Sequence, residues 1–131
     1  MRPFRTTAFA AVALLALAPA ATAVADAHPT PKRGLLLTVS GAQDTWIRGV
    51  SLHCSAPVGG GHPQPREACD DLTWARGSFD ALPGNPHPCT KQYDPVTATA
   101  DGTWRGQPVH WKKTFGNACE LDAATGPVFR F

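Results

Sequence analysis

Apolar residues recur at two different spacings along this chain, and the switch between them predicts its elements. Leu35, Leu36, Leu37 and Val39 make a short, strongly apolar run, the pattern of a first strand. Residues 41–44 read as a turn. Ile47, Val50 and Leu52 then mark a second strand over residues 46–53, with Gly49 a candidate bulge and Cys54 at its end. Three glycines and three prolines make residues 57–65 a loop. The spacing next becomes helical. Ala68, Leu72 and Ala75 recur on one face with Cys69 beside them, so residues 65–75 form a helix. Pro65 suits its first position, Glu67 its first turn, and Gly77 its end.

Residues 77–94 carry no apolar period. From Pro95 the pattern alternates again, predicting a strand over residues 95–100 and a hairpin turn at Asp101-Gly102, with Arg105-Gly106 as a competing turn signal. Along residues 107–115, Val109, Trp111 and Phe115 share one strand face while His110, Lys112 and Thr114 share the other. Lys113 falls on the apolar face, as expected of an edge strand or of a stem laid along the surface. Residues 116–122 suit a helical turn and residues 127–131 a final strand. Two strands, a helix, a long loop and three strands give an α+β fold with a mostly antiparallel sheet.

The first 25 residues are set apart as a secretory signal. Arg2 and Arg5 supply the positive start, residues 8–17 the apolar core, and residues 21–25 two small-x-small cleavage sites. The apolar run is about ten residues, against roughly 20 needed to span a bilayer, so no membrane anchor is expected. A flexible arm follows over residues 26–33, then one domain over residues 34–131. Without Arg2 and Arg5 the chain has ten basic and ten acidic side chains. That balance, with no basic stripe among aromatics, argues against a nucleic-acid partner.

Cys54, Cys69, Cys89 and Cys119 change the picture. Four cysteines in a short exported chain predict two disulfides, in any of three pairings, of which the sequential one is the simplest. A zinc site involving His53, His62 or His87 is the rival, but no CxxC or HxxxH spacing supports it. With all cysteines paired no thiol nucleophile remains. The serines lie in no nucleophile motif, and no glycine loop cradles a phosphate. Asp70 and Asp71 are adjacent on a helix, so they diverge and suit a solvated face. No catalytic constellation, metal site or cofactor is expected.

The candidate chemistry lies in residues 86–95, Pro-His-Pro-Cys-Thr-Lys-Gln-Tyr-Asp-Pro. Prolines restrict φ and a disulfide pins the backbone, so this long loop is stiff rather than disordered. Lys91 stands near its tip, as in a segment made to enter another protein's pocket. The plainer reading is a surface loop that happens to carry a lysine.

Several motifs join to carry a resemblance. They include Val50-Ser51-Leu52-His53-Cys54, Gly61-His62-Pro63 and Ala68-Cys69-Asp70-Asp71-Leu72. Cys89-Thr90-Lys91-Gln92-Tyr93-Asp94-Pro95-Val96 and Asp101-Gly102-Thr103-Trp104-Arg105-Gly106 follow. Thr114-Phe115-Gly116-Asn117-Ala118-Cys119-Glu120 and Val128-Phe129-Arg130-Phe131 complete the set. From about Gly34 to Phe131 the chain resembles the Streptomyces subtilisin inhibitor family of exported protease inhibitors.

The resemblance implies the pairs Cys54–Cys69 and Cys89–Cys119, and a five-stranded antiparallel sheet with two helices on one face. It implies a homodimer packed sheet on sheet, and a reactive bond between Lys91 and Gln92. Thr90, Tyr93 and Asp94 then belong to the binding loop with Cys89, and Asn117 buttresses it from beneath. The partners implied are serine endopeptidases, trypsin-like because a lysine precedes the bond and subtilisin-like because that pocket tolerates many side chains. An extracellular transglutaminase or metalloprotease is the alternative partner. Thr90 stands where the best-known member has proline, which removes a constraint on φ. Gln92 is polar where some members are aliphatic.

Overall fold

The computed structural model describes residues 33–131; the expected secretory signal and all but Arg33 of the expected arm lie outside the described residues. Five strands form one antiparallel sheet: β1 (Leu35–Ser40), β2 (Ile47–His53), β3 (Gly59–Gly60), β4 (Val96–Trp104) and β5 (Gln107–Phe115), in the spatial order β3-β2-β1-β4-β5. Two helices, α1 (Pro65–Trp74) and α2 (Ala118–Thr125), cover one face. Inward-pointing Leu35, Leu37, Leu52, Val96, Ala98 and Ala100 meet Ala68 and Leu72 of α1 and Leu121 of α2, all of them buried. Alanine at positions 68, 98 and 100 keeps these contacts short, and each leucine buried here contributes about 1.5–3 kcal/mol. The opposite face is uncovered, with Leu36 and Ile47 exposed.

The first helix matches its sequence pattern. Pro65 occupies its first turn, and Ala68, Cys69, Leu72 and Ala75 face the core. The Gly77 amide returns to the Leu72 carbonyl at 2.8 Å and the Arg76 amide to that of Thr73 at 3.1 Å, closing the helix in a Schellman turn. Here the chain reverses on Arg76 and Gly77, both at positive φ. Asp71 is half-buried rather than fully solvated. Burial first, and the charge of Asp70 second, push its carboxyl up from the ordinary range.

Three expectations are corrected. The hairpin turns at Arg105-Gly106, not at Asp101-Gly102: β4 runs through both of the latter, pairing Asp101 with Leu36 and His110. A turn at 101–102 would close off the ladder after Ala100. The later turn lets nine residues pair with nine, and both turn residues have positive φ, as a two-residue hairpin requires. Gly102 serves a different purpose. Its φ is 136°, and a Cβ there would lie 2.2 Å from the Gly34 carbonyl oxygen, so the absence of a side chain lets β1 close on β4.

The C-terminal segment is likewise not a strand. Residues Gly126–Phe129 form a 3-10 turn in which adjacent Val128 and Phe129 are both buried. A strand sends neighbours to opposite faces, so it could not bury both. His62 fixes this turn: its Nδ1 accepts the Gln64 amide and its Nε2 donates to the Val128 carbonyl, both at 3.0 Å. The fifth strand is instead Gly59–Gly60, inside the expected loop, against Leu52 and His53.

Phe79, Trp111 and Phe129 pack together at the start of the long loop, Phe79 stacked on Trp111 with centres 5.3 Å apart and edge-on to Phe129. Lys113 lies on this apolar side of edge strand β5, its Nζ 5.5 Å from the Phe115 ring centre and 3.8 Å from Asp80 Oδ1.

Two glycine substitutions separate strain from crowding. Gly102→Ala carries both, and is expected to lower unfolding stability by about 2–3 kcal/mol in urea titration. Gly106→Ala, at φ 79° with nothing within 4 Å of the added carbon, is expected to cost only about 1 kcal/mol.

Candidate functional site: a loop laid along the second helix

The long loop leaves the aromatic cluster at Leu82 and rejoins the sheet at β4. Its backbone lies against α2 and the two residues before it, in antiparallel order. The Asn85 amide donates to the Ala123 carbonyl at 3.0 Å. His87 Nε2 lies 2.9 Å from Asp122 Oδ2. Cys89 is bonded to Cys119. Asn117 Nδ2 donates to the Thr90 carbonyl at 3.1 Å and to the Gln92 carbonyl at 2.9 Å. The Asp94 amide donates to the Gly116 carbonyl at 2.9 Å. Five anchors thus descend the loop while climbing the helix backwards.

Asn117 joins the two elements chemically. Its side-chain oxygen accepts the Glu120 amide at 2.9 Å and caps α2, while its nitrogen donates both hydrogens to the loop. One planar amide therefore fixes the loop relative to the helix axis. The residue is 8% exposed, so water competes poorly for these bonds. Glu120 completes the cap by accepting the Gly116 amide at 3.1 Å.

The Lys91–Gln92 peptide lies between the two peptides whose carbonyls Asn117 holds, Thr90–Lys91 and Gln92–Tyr93, so it is fixed from both ends. The Lys91 side chain is 94% exposed. The ammonium is 4.0 Å from Glu120 Oε1, a contact of the exposed kind that contributes little and yields readily to a stronger partner. Thr90, Gln92, Tyr93 and Asp94 are exposed beside it, and Tyr93 presents 80% of its surface.

The disulfides are Cys54–Cys69, which ties the end of β2 to α1, and Cys89–Cys119 under the loop. Among the described residues no cysteine is free. His87 Nδ1 does lie 3.7 Å from both Cys89 Sγ and Cys119 Sγ, but these sulfurs are bonded to each other and offer no thiolate. His53 and His62 lie apart from this group, so the zinc alternative loses its donors.

A charge cluster that sequence reasoning missed stands behind the loop. Asp122 Oδ1 accepts from Arg130 Nε at 2.9 Å and from its terminal nitrogen at 2.8 Å, leaving Oδ2 for His87. Burial alone would raise the Asp122 carboxyl; the hydrogen bonds from His87 and Arg130 outweigh it and hold the group below its usual range. His87 is raised, chiefly by its bond to Asp122. Asp122 at helical spacing after Cys119 was the one available signal.

The family model described as subtilisin inhibitor-like matches residues 31–117. The chain belongs to the subtilisin inhibitor-like family. It is 44% identical over 102 residues to subtilisin inhibitor-like protein 5 of Streptomyces fradiae, covering 74% of this chain and 95% of that one. Trypsin inhibitor STI2 of Streptomyces longisporus is 39% identical over 117 residues, covering 86% and 81%. Among solved structures, Streptomyces caespitosus sermetstatin, in complex with Bacillus licheniformis subtilisin, matches with a TM-score of 0.63 at 37% identity, over 75% of this chain and 97% of that one. The family and these relatives are protease inhibitors, not enzymes. Among the described residues no helix is long and apolar enough to cross a membrane.

Asn117→Asp isolates the loop bracket. It keeps the capping acceptor but sets a carboxylate oxygen against two carbonyls. The expected result is an unfolding midpoint that moves modestly, with proteolytic cleavage between residues 90 and 93 at least about tenfold faster, since two charge-repelled anchors replace two hydrogen bonds. Limited proteolysis followed by mass spectrometry reads both the site and the rate.

Proposed function

We propose that this chain is a secreted inhibitor of serine endopeptidases, both trypsin-like and subtilisin-like, which it engages as a substrate would through the Lys91–Gln92 bond. The observation that carries the reading is the Asn117 amide bracketing a fully presented Lys91, in a chain of this family. Lys91 enters the protease's primary pocket, where a carboxylate at the base favours a cation. The Lys91 carbonyl points into the oxyanion hole, and the flanking backbone adds a strand to the enzyme's cleft.

Slow turnover follows from the anchors. When the bond is cut, the new ends at Lys91 and Gln92 do not diffuse apart. Thr90 and Gln92 stay on Asn117, Cys89 stays on Cys119, and Asp94 stays on Gly116. The new amine therefore remains beside the acyl group, and religation competes with release. The same anchoring removes most of the ordering cost of binding, so a standard-sized interface supports tight affinity. Thr90 adds no proline constraint, and its carbonyl is held by Asn117 instead.

Two further parts of the reading concern context. Residues 1–25 act as the export signal, so the inhibitor works outside the cell, the compartment in which its disulfides persist. The uncovered sheet face is the surface on which two copies pair as a homodimer. Leu36 and Ile47 are exposed there, and Thr38 with Thr99 and Thr97 with Thr114 bond across strands to make it flat and internally satisfied.

Titration of the mature protein against trypsin and subtilisin, followed with small chromogenic substrates, tests the reading. Stoichiometric inhibition of both is expected. Lys91→Glu is expected to weaken trypsin inhibition by about a thousandfold or more, because a desolvated like charge then faces the pocket carboxylate. Unchanged inhibition by Lys91→Glu would refute Lys91 as the residue before the reactive bond.

A further inference from the structure

The cluster formed by His87, Asp122 and Arg130 lies outside the Asn117 bracket around Lys91–Gln92, yet it grips the loop two residues before Cys89. We propose that His87, clasped by Asp122 and Arg130, is a pH-sensitive positioning residue for the backbone that leads into Lys91–Gln92, holding it tightest in mildly acidic medium and releasing it as the medium becomes alkaline. The consequence for inhibition rests on Lys91–Gln92 being the reactive bond; the consequence for loop order does not.

The geometry requires two donors from one ring. Nε2 faces Asp122 Oδ2 at 2.9 Å, and Nδ1 faces the Pro88 carbonyl at 3.3 Å. Charged imidazole donates from both nitrogens; the neutral ring donates from one. Loss of a proton leaves either a lone pair toward the Pro88 carbonyl or a lone pair toward a carboxylate. In both cases an attraction becomes a repulsion. Pro88 immediately precedes Cys89, so the change is delivered to the backbone that enters the reactive segment.

Arg130 makes the arrangement directional. Its two bonds to Oδ1 fix the Asp122 carboxylate in place and keep it ionised, so that Oδ2 is always presented to His87. Other groups facing the ring from α2 and the loop are the Cys89 and Cys119 sulfurs, which are bonded and do not titrate. The next charged pair along α2, Lys91 with Glu120, lies toward the helix start. Charge from Arg130 lowers the His87 pKa, but its bonds to Asp122 and Pro88 prevail and raise it above the ordinary 6.5.

A group raised in the folded state contributes its stabilisation fully below the unfolded value, here 6.5, and loses it as pH rises through the folded one. Asp122 is lowered, so its contribution is present above 3.8 and disappears as pH falls through its folded value. The catch therefore works best between these two ordinary values and opens on the alkaline side.

The test uses the mature protein by nitrogen-15 relaxation, from about pH 5 to about pH 9. Order parameters of the His87, Cys89 and Thr90 amides are expected to fall from about 0.85 toward about 0.6 as the His87 ring titrates. His87→Gln is expected to flatten that profile. Asp122→Asn is expected to shift the ring's titration downward. Loop order that stays constant while His87 titrates, or that falls equally in His87→Gln, would overturn the proposal. In parallel, the rate of Lys91–Gln92 cleavage by trypsin, taken as a ratio to His87→Gln at each pH, is expected to rise about two- to threefold across the same titration, the scale of an exposed charged pair. A wild type that trypsin does not bind at any pH would refute the reactive-bond reading alone, since the order parameters decide the catch in the free protein.

Discussion

Everything distinctive in this molecule depends on a fixed register between one loop and one short helix. A chain segment with no internal ladder of hydrogen bonds has no order of its own; it must borrow order from a neighbour. Here the neighbour is α2, with bonds from Gly116, Asn117, Cys119, Asp122 and Ala123 reaching the loop in reverse sequence. Asn117 is the fulcrum, because the atom that starts the helix and the atom that holds the loop belong to the same amide. A shift of either element breaks both functions.

The register holds only because α2 itself does not move. The helix has eight residues, too few to be stable alone. It is fixed by burial of Leu121 and Thr125 against the sheet and by the 3-10 turn that follows, where Val128 and Phe129 fill the space between the helices. His62 closes that turn from the far side. The apolar core, the turn, the helix and the loop therefore form one chain of support, and its last link is Lys91, almost wholly in solvent. On the proposed reading, rigidity beneath and exposure at the tip are what reconcile presentation to a protease with resistance to it.

Much of this was legible in the sequence where one signal ruled. β1, β2 and α1 follow directly from apolar spacing, as does the inward stripe of Ala68, Cys69, Leu72 and Ala75. The stiffness of the loop was readable from its prolines and Cys89, and the family from resemblance. What was not legible depends on partners. Gly59–Gly60 has no side chains to alternate, so its pairing leaves no period. Asp101-Gly102 carries a better local turn signal than Arg105-Gly106, but a nine-residue ladder outweighs a local preference. Residues 127–131 read as a final strand and yet fill a corner that needs two adjacent buried side chains. His87, Asp122 and Arg130 are far apart in the chain, and only the fold of the loop onto α2 brings them together.

The most direct test of the central account is whether the cut loop rejoins. The account predicts that trypsin, given time, cleaves the protein at Lys91–Gln92 alone, that the halves stay linked through Cys89–Cys119, and that purified cleaved protein returned to a trace of trypsin regenerates intact chain, visible by mass spectrometry as loss of one bound water. Cleaved protein that never reverts and goes on to fragments at other bonds would show that the helix does not hold the new ends together, and would contradict the account.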